Sequence, residues 1–143
     1  MRKNRGFTLL ELMIVITVVA ILAAVAYPLY TDQIRKGRRS EARQALSDLA
    51  LRQEKWRSYN TTYGDCTQVF TPSNCAGMNN TLLYYNIGIT TGSNTGTGFV
   101  ATATPKNGQE ADKCGTLTLT MTATVLTKCP SAATLCATHT DCW

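Results

Sequence analysis

Gly6-Phe7-Thr8-Leu9-Leu10-Glu11-Leu12-Met13-Ile14-Val15-Ile16 opens a run that carries no charged residue from position 12 to position 31. Twenty helical residues rise about 30 Å, the hydrocarbon thickness of a bilayer. A cleavable secretory signal has a shorter apolar stretch closed by a small-residue cleavage site. Here the basic residues 1–6 meet the apolar run directly, so the run is expected to be retained. Arg2, Lys3 and Arg5 hold that end on the cytoplasmic side and send the rest of the chain outward. Arg35, Lys36, Arg38 and Arg39 on the far side are also basic and weaken that orientation.

Two residues break the run's uniformity. Glu11 puts a carboxylate at the mouth of an apolar segment, where an ionisable group is costly and usually has a partner. Alternatively it sits in a first helical turn, favoured by the helix dipole and within reach of headgroups. Pro28 removes a helical hydrogen bond and crowds the preceding turn, so a bend or local melting is expected near residues 24–28, and Gly37 is a second weak point.

Working outward, the chain has 143 residues, 44% of them hydrophobic, enough for one core. Its formal charge of +5 includes three basic residues in the first six; without them eleven basic residues face nine acidic ones. Basicity is therefore mostly an N-terminal address, not a binding surface. Six cysteines, Cys66, Cys75, Cys114, Cys129, Cys136 and Cys142, lie far from that end with no metal-ligand spacing, so disulfides in an oxidising compartment are expected, and neither metal nor cofactor. Spacing alone leaves fifteen pairings open. The single histidine, His139, lacks a nucleophile and acid at any recognised spacing, and no glycine-rich phosphate loop follows a strand. The chain is expected to be a substrate of enzymes, not an enzyme, with no catalytic residues.

Gly6-Phe7-Thr8-Leu9-Leu10-Glu11 resembles, almost letter for letter, the class III signal of type IV pilins and pseudopilins. That resemblance implies cleavage by a prepilin peptidase after Gly6, where a missing side chain permits close approach of the protease backbone, and methylation of the new N-terminus at Phe7. It implies that Glu11 pairs with the N-terminal amine of a neighbouring subunit, a buried pair that adds little stability but penalises insertion at the wrong height. Pro28 matches the proline common in pilins, at a segment that unwinds in the filament. The C-terminal stretch Asp112-Lys113-Cys114-Gly115-Thr116-Leu117, with Asp141-Cys142-Trp143, is similar to minor pilins of the PilE type. The favoured disulfides are Cys66 with Cys75, Cys114 with Cys142, and Cys129 with Cys136; the middle one resembles the disulfide-bounded C-terminal region of pilins.

The expected fold is α+β, pilin-like: a long N-terminal helix, half transmembrane and half amphipathic, packed on a small antiparallel sheet. Residues 1–6 are a leader, 7–59 the helix with 7–31 as its membrane or filament-core part, and 60–143 a disulfide-bonded head. Ala42, Leu46, Leu49 and Trp56 keep helical spacing, with Gln53 as a polar break, and Asp48 and Arg52 form a surface pair. Arg35, Lys36, Arg38, Arg39 and Arg43 read as a solvated or subunit-contacting face. Residues 63–80 read as loop. Alternation at Leu83, Tyr85, Ile87 and Ile89, at Phe99, Ala101 and Ala103, and from Leu117 to Val125 predicts three strands, the last half exposed on its threonine face.

The resemblance implies a structural pilus subunit, membrane-held by a single pass before assembly and then extracellular, serving biogenesis, twitching motility and adhesion. Partners are other pilin subunits, the peptidase and methyltransferase, the inner-membrane platform and its motor ATPase. A minor subunit is favoured over a major one. A pseudopilin of type II secretion is the alternative from another machine. A DNA-uptake receptor is a further reading, not favoured, because the head offers only Lys106, Lys113 and Lys128 against Asp65, Glu110, Asp112 and Asp141.

Overall fold

The computed structural model describes residues 7–70, 74–123, 125–130 and 142–143. Its elements are α1 (Leu9–Arg57), α2 (Cys66–Val69), α3 (Asn74–Thr81), β1 (Tyr85–Ile89), β2 (Gly98–Pro105), β3 (Leu117–Thr122) and β4 (Val125–Pro130). The chain divides into two compact units, Met1–Lys36 and Gly37–Trp143. In the first, every described residue up to Tyr30 is exposed, and α1 carries a stretch long and apolar enough to cross a membrane. Thr8 starts it by accepting the Glu11 N–H on its Oγ1 at 3.2 Å, satisfying one of the donors a helix start leaves open.

The second unit is built on the remainder of α1. Arg39, Ala42, Leu46, Leu49 and Gln53 are its buried residues, spaced by three and four so that they fall on one face. That stripe joins a core with Tyr85 and Ile87 of β1, Phe99, Ala101 and Ala103 of β2, and Leu117 and Leu119 of β3. The sheet is antiparallel throughout, in the order β1-β2-β3-β4. Its register sets Ile87 opposite Ala103 and Ala101 opposite Leu119, so small and large side chains alternate across the inner face.

Gln53, the break in the apolar stripe, is fully buried and has a defined task. Its amide donates to the Gly64 carbonyl at 2.7 Å and accepts the Gly64 N–H at 2.9 Å, pairing two backbone groups of a buried bend. A Cβ on Gly64 would lie 2.7 Å from Val69 and 3.0 Å from the Trp56 indole, so any larger residue there would force those side chains to shift.

The α+β architecture agrees with the sequence reading, with three corrections. The long alternation from Leu117 to Val125 is not one strand: Ala123 takes φ 49°, the chain reverses, and β4 pairs with β3 from Thr122 opposite Val125 onward. No glycine, proline or asparagine marks this turn, so continuous alternation concealed it. Residues 63–80 are not simply loop, since α2 and α3 occupy much of that stretch and Cys66 is joined to Cys75 across them. Asp65 starts α2 as a capping box, its side chain accepting from the Thr67 and Gln68 N–H groups while the Gln68 side chain accepts the Asp65 N–H. Leu83 is exposed and precedes β1.

Candidate functional site

Three sets of residues carry chemistry. The first is the start of α1. Phe7 and Glu11 are exposed, Glu11 in the first turn, and Gly6 lies outside the described residues. Pro28 stands inside α1, whose helical assignment is unbroken across residues 24–28. Having no N–H, the proline gives nothing to the Ala24 carbonyl one turn back. Its own carbonyl accepts a second bond, from the Thr31 hydroxyl at 2.9 Å.

The second set surrounds the disulfide between Cys114 and Cys142. Arg39 was grouped with the solvated basic face, and the structure corrects this: it lies on the buried stripe, only 3% exposed. Its Nη1 donates to Cys114 Sγ, lies 3.7 Å from Cys142 Sγ, and is 3.5 Å from Asp112 Oδ1. Gln109, fully buried, donates to Asp112 Oδ2 at 2.9 Å and to the Tyr85 hydroxyl at 3.2 Å. Arg38 donates to the Gln109 side-chain amide oxygen at 3.5 Å and stacks its guanidinium 3.6 Å above the Tyr84 ring. Burial raises the Tyr85 hydroxyl's pKa above its ordinary value, so the group stays a neutral hydrogen-bond partner in this network.

The third set is an open groove of about 510 Å³ lined by Ser40, Arg43, Ser47 and Leu51 of α1, Lys128 of β4, and Trp143. Lys128 Nζ stands 5.8 Å from the centre of the Trp143 ring, and the indole N–H is buried with no hydrogen-bond partner among the described residues. Asp48, on the same groove, is paired with Arg52 at 2.8 Å, the expected surface pair. Two further cations are tied down: Lys106 donates to Asn86 at 2.8 Å, and Arg57 to the carbonyls of Asn60 and Gly96 at 2.7 and 3.0 Å.

The bonds Cys66–Cys75 and Cys114–Cys142 are two of the pairs expected. The third, Cys129 with Cys136, falls outside the described residues at Cys136, as do His139 and Asp141; Cys129 itself is disulfide-bonded. Among the described residues no cluster of His, Cys, Asp and Glu is placed to hold a metal. Sequence reading missed the Arg39–Asp112 pair and the Trp143 groove. The signal for Arg39 was present, since it falls three residues before Ala42 on the helical stripe.

Residues 1–27 match the prokaryotic N-terminal methylation motif, and residues 28–118 match the family described as type IV minor pilin ComP, DNA uptake sequence receptor. Among curated relatives, the chain is 44% identical over 68 residues to type IV major pilin protein PilE1 of Neisseria gonorrhoeae, covering 43% of this chain and 41% of that protein. It is 41% identical over 63 residues to type IV major pilin protein PilA of Myxococcus xanthus, covering 44% and 29%. Fimbrial protein EcpB of Eikenella corrodens is 61% identical over 36 residues, 25% of this chain and 23% of that protein. The match thus spans about two fifths or less of these relatives' length. No solved structure matches. An apolar helix behind a methylation motif, a four-stranded head cross-linked at its C-terminal end, and a family match over more than half its length together place this chain in the type IV pilins, in the family described as minor pilin ComP, DNA uptake sequence receptor.

Proposed function

We propose that this chain is a minor pilus subunit made as a precursor, cut after Gly6, methylated at Phe7, held in the inner membrane by the first half of α1, and then moved into an extracellular filament. The observation that carries this reading is the wholly uncovered apolar segment from Phe7 to Tyr30, continuous with a helix that anchors a folded head. An apolar surface of that extent needs lipid or copies of itself. Glu11 then meets a neighbour's N-terminal amine and fixes its height, and melting near Pro28 belongs to the assembled fibre. Prepilin peptidase, platform and motor ATPase are its assembly partners, and motility and adhesion its outputs. Mass spectrometry of sheared filaments tests it: a trace of peptide starting at N-methylated Phe7 beside an abundant second pilin is the expected result. A dominant share makes this the major subunit, as the names of its relatives favour, and absence from filaments overturns the proposal.

A DNA-receptor role gains support from the family match over residues 28–118, more than the head's charge count gives it. Arg43 and Lys128 flank the Trp143 groove, and phosphates lying along it would meet both. Gel shifts of residues 35–143 across a salt series test this, with steep salt dependence expected. Arg43→Ala and Lys128→Ala should each weaken binding and reduce the salt slope by about 1.

A further inference from the structure

The surroundings of the Cys114–Cys142 bond are asymmetric. Cys114 is fixed at the end of a turn running from Lys106 to Gly115, in which Gln109 N–H donates to the Lys106 carbonyl, Asp112 N–H to the Gln109 carbonyl, and Gly115 N–H to the Asp112 carbonyl. Arg39 reaches it from α1. None of these contacts requires Cys142, which lies twelve residues beyond the end of β4. The site of Cys114 is thus complete before its partner arrives.

Arg39 serves the two sulfurs unequally, its Nη1 donating to Cys114 Sγ and standing 3.7 Å from Cys142 Sγ. Among the described residues, Arg39 from α1 lies against the bond with Asp112 from the turn 3.5 Å from its Nη1; Gln109 links Asp112 to the uncharged Tyr85 hydroxyl of β1 and to Arg38, which is half-buried and stacked on Tyr84, and Glu110 and Lys113 on the same turn are exposed. A thiolate on Cys114 is held by the Arg39 nitrogen that donates to that sulfur.

We propose that Cys114 is the entry thiol of this bond and Cys142 the resolving thiol. The Cys114 thiolate, held by Arg39, attacks one sulfur of a disulfide-bearing oxidant, forming a mixed disulfide and releasing the oxidant's other sulfur as thiolate. Cys142, losing its proton to solvent, then attacks Cys114 Sγ, closes the bond and expels the second oxidant sulfur, so the chain loses two electrons and the oxidant leaves as a dithiol. Arg39 is a positioning residue in this step, acting on the reactivity of Cys114.

Oxidised glutathione is the probe. The full chain, reduced and solubilised in nonionic detergent, is mixed with it at pH 6.5, quenched with an alkylating reagent at intervals, and the glutathione adduct on each cysteine is counted by peptide mass spectrometry. The adduct is expected on Cys114 before Cys142. Arg39→Met should slow its appearance about threefold: a thiol pKa raised by about one unit cuts the thiolate about tenfold while each thiolate becomes about threefold more nucleophilic. Arg39→Lys should retain most of the rate, and adducts on Cys66 and Cys75 should be unaffected. Asp112→Asn removes the opposing carboxylate and should speed the Cys114 adduct, so the two variants move the rate in opposite directions, which loosened packing around a buried thiol does not do. Adducts that appear first on Cys142, or Arg39→Met and Asp112→Asn variants that change the rate in the same direction, overturn the proposal.

Discussion

Gly98 and Gln53 show how much of this head depends on single atoms. A Cβ on Gly98 would fall 2.2 Å from the Met121 carbonyl oxygen, backbone that cannot swing aside. Gly98→Ala should therefore lower head stability by about 2 kcal/mol through forced separation of β2 and β3, seen as a lower denaturation midpoint of residues 35–143. Gln53→Leu fills the same space but leaves the N–H and C=O of Gly64 buried and unpaired, and should cost about 2 to 4 kcal/mol by the same measurement. Asp65 carries a pH signature. Hydrogen bonds, first from the Thr67 hydroxyl and then from the Gln68 N–H, hold its carboxyl below the ordinary value. A depressed folded-state pKa contributes stability that is present above the unfolded value and is lost as pH falls through the folded one. Asp65→Ala should cost about 1 kcal/mol at pH 7 from the lost cap, and the difference should narrow as the pH drops below about 4.

At the scale of elements, α1 was legible because its two halves obey different rules that sequence displays openly: unbroken apolarity in residues 12–31, then an apolar stripe at Ala42, Leu46 and Leu49. Strands β1 and β2 were legible by their period of two. The turn that splits the last alternation was not, because Ala123 adopts a left-handed conformation without any residue that favours it, and pairing in space decides what local preference does not. Helices α2 and α3 escaped notice for a related reason: they are short, mostly polar in sequence and joined by a disulfide. Gly6, Phe7, Glu11 and Pro28 were singled out by a motif and their roles are proposals, whereas finding Arg39 with Asp112 required knowing which helix face meets which turn. Pro28→Ala restores the missing donor to Ala24 and should make the segment harder to unwind. Single-filament pulling checks this, with a higher extension force expected if the subunit is placed throughout a fibre.

For the molecule as a whole, two compact units on one helix mean that assembly and head stability can be damaged separately. Glu11→Ala should abolish or sharply reduce recovery in sheared filaments while the denaturation midpoint of the head stays unchanged; full incorporation would remove its register role. Losing Cys114–Cys142 should destabilise the head more than losing Cys66–Cys75. The separations are 28 and 9 residues, and the chain-entropy model makes the larger loop worth about 1 kcal/mol more. Paired thermal melts of Cys114→Ser/Cys142→Ser and Cys66→Ser/Cys75→Ser variants check the order.

One hydrogen-bonded pair has a bearing on how such a protein avoids sticking to itself in unwanted ways. Asn79 of α3 donates to the Ile87 carbonyl at 3.0 Å and accepts the Ile87 N–H, occupying both outward-facing backbone groups at the middle of β1. Strand β1 is a sheet edge, the kind of surface that recruits foreign strands and seeds aggregates. With both groups taken from within, that edge has its central docking point plugged before a neighbouring strand can reach it.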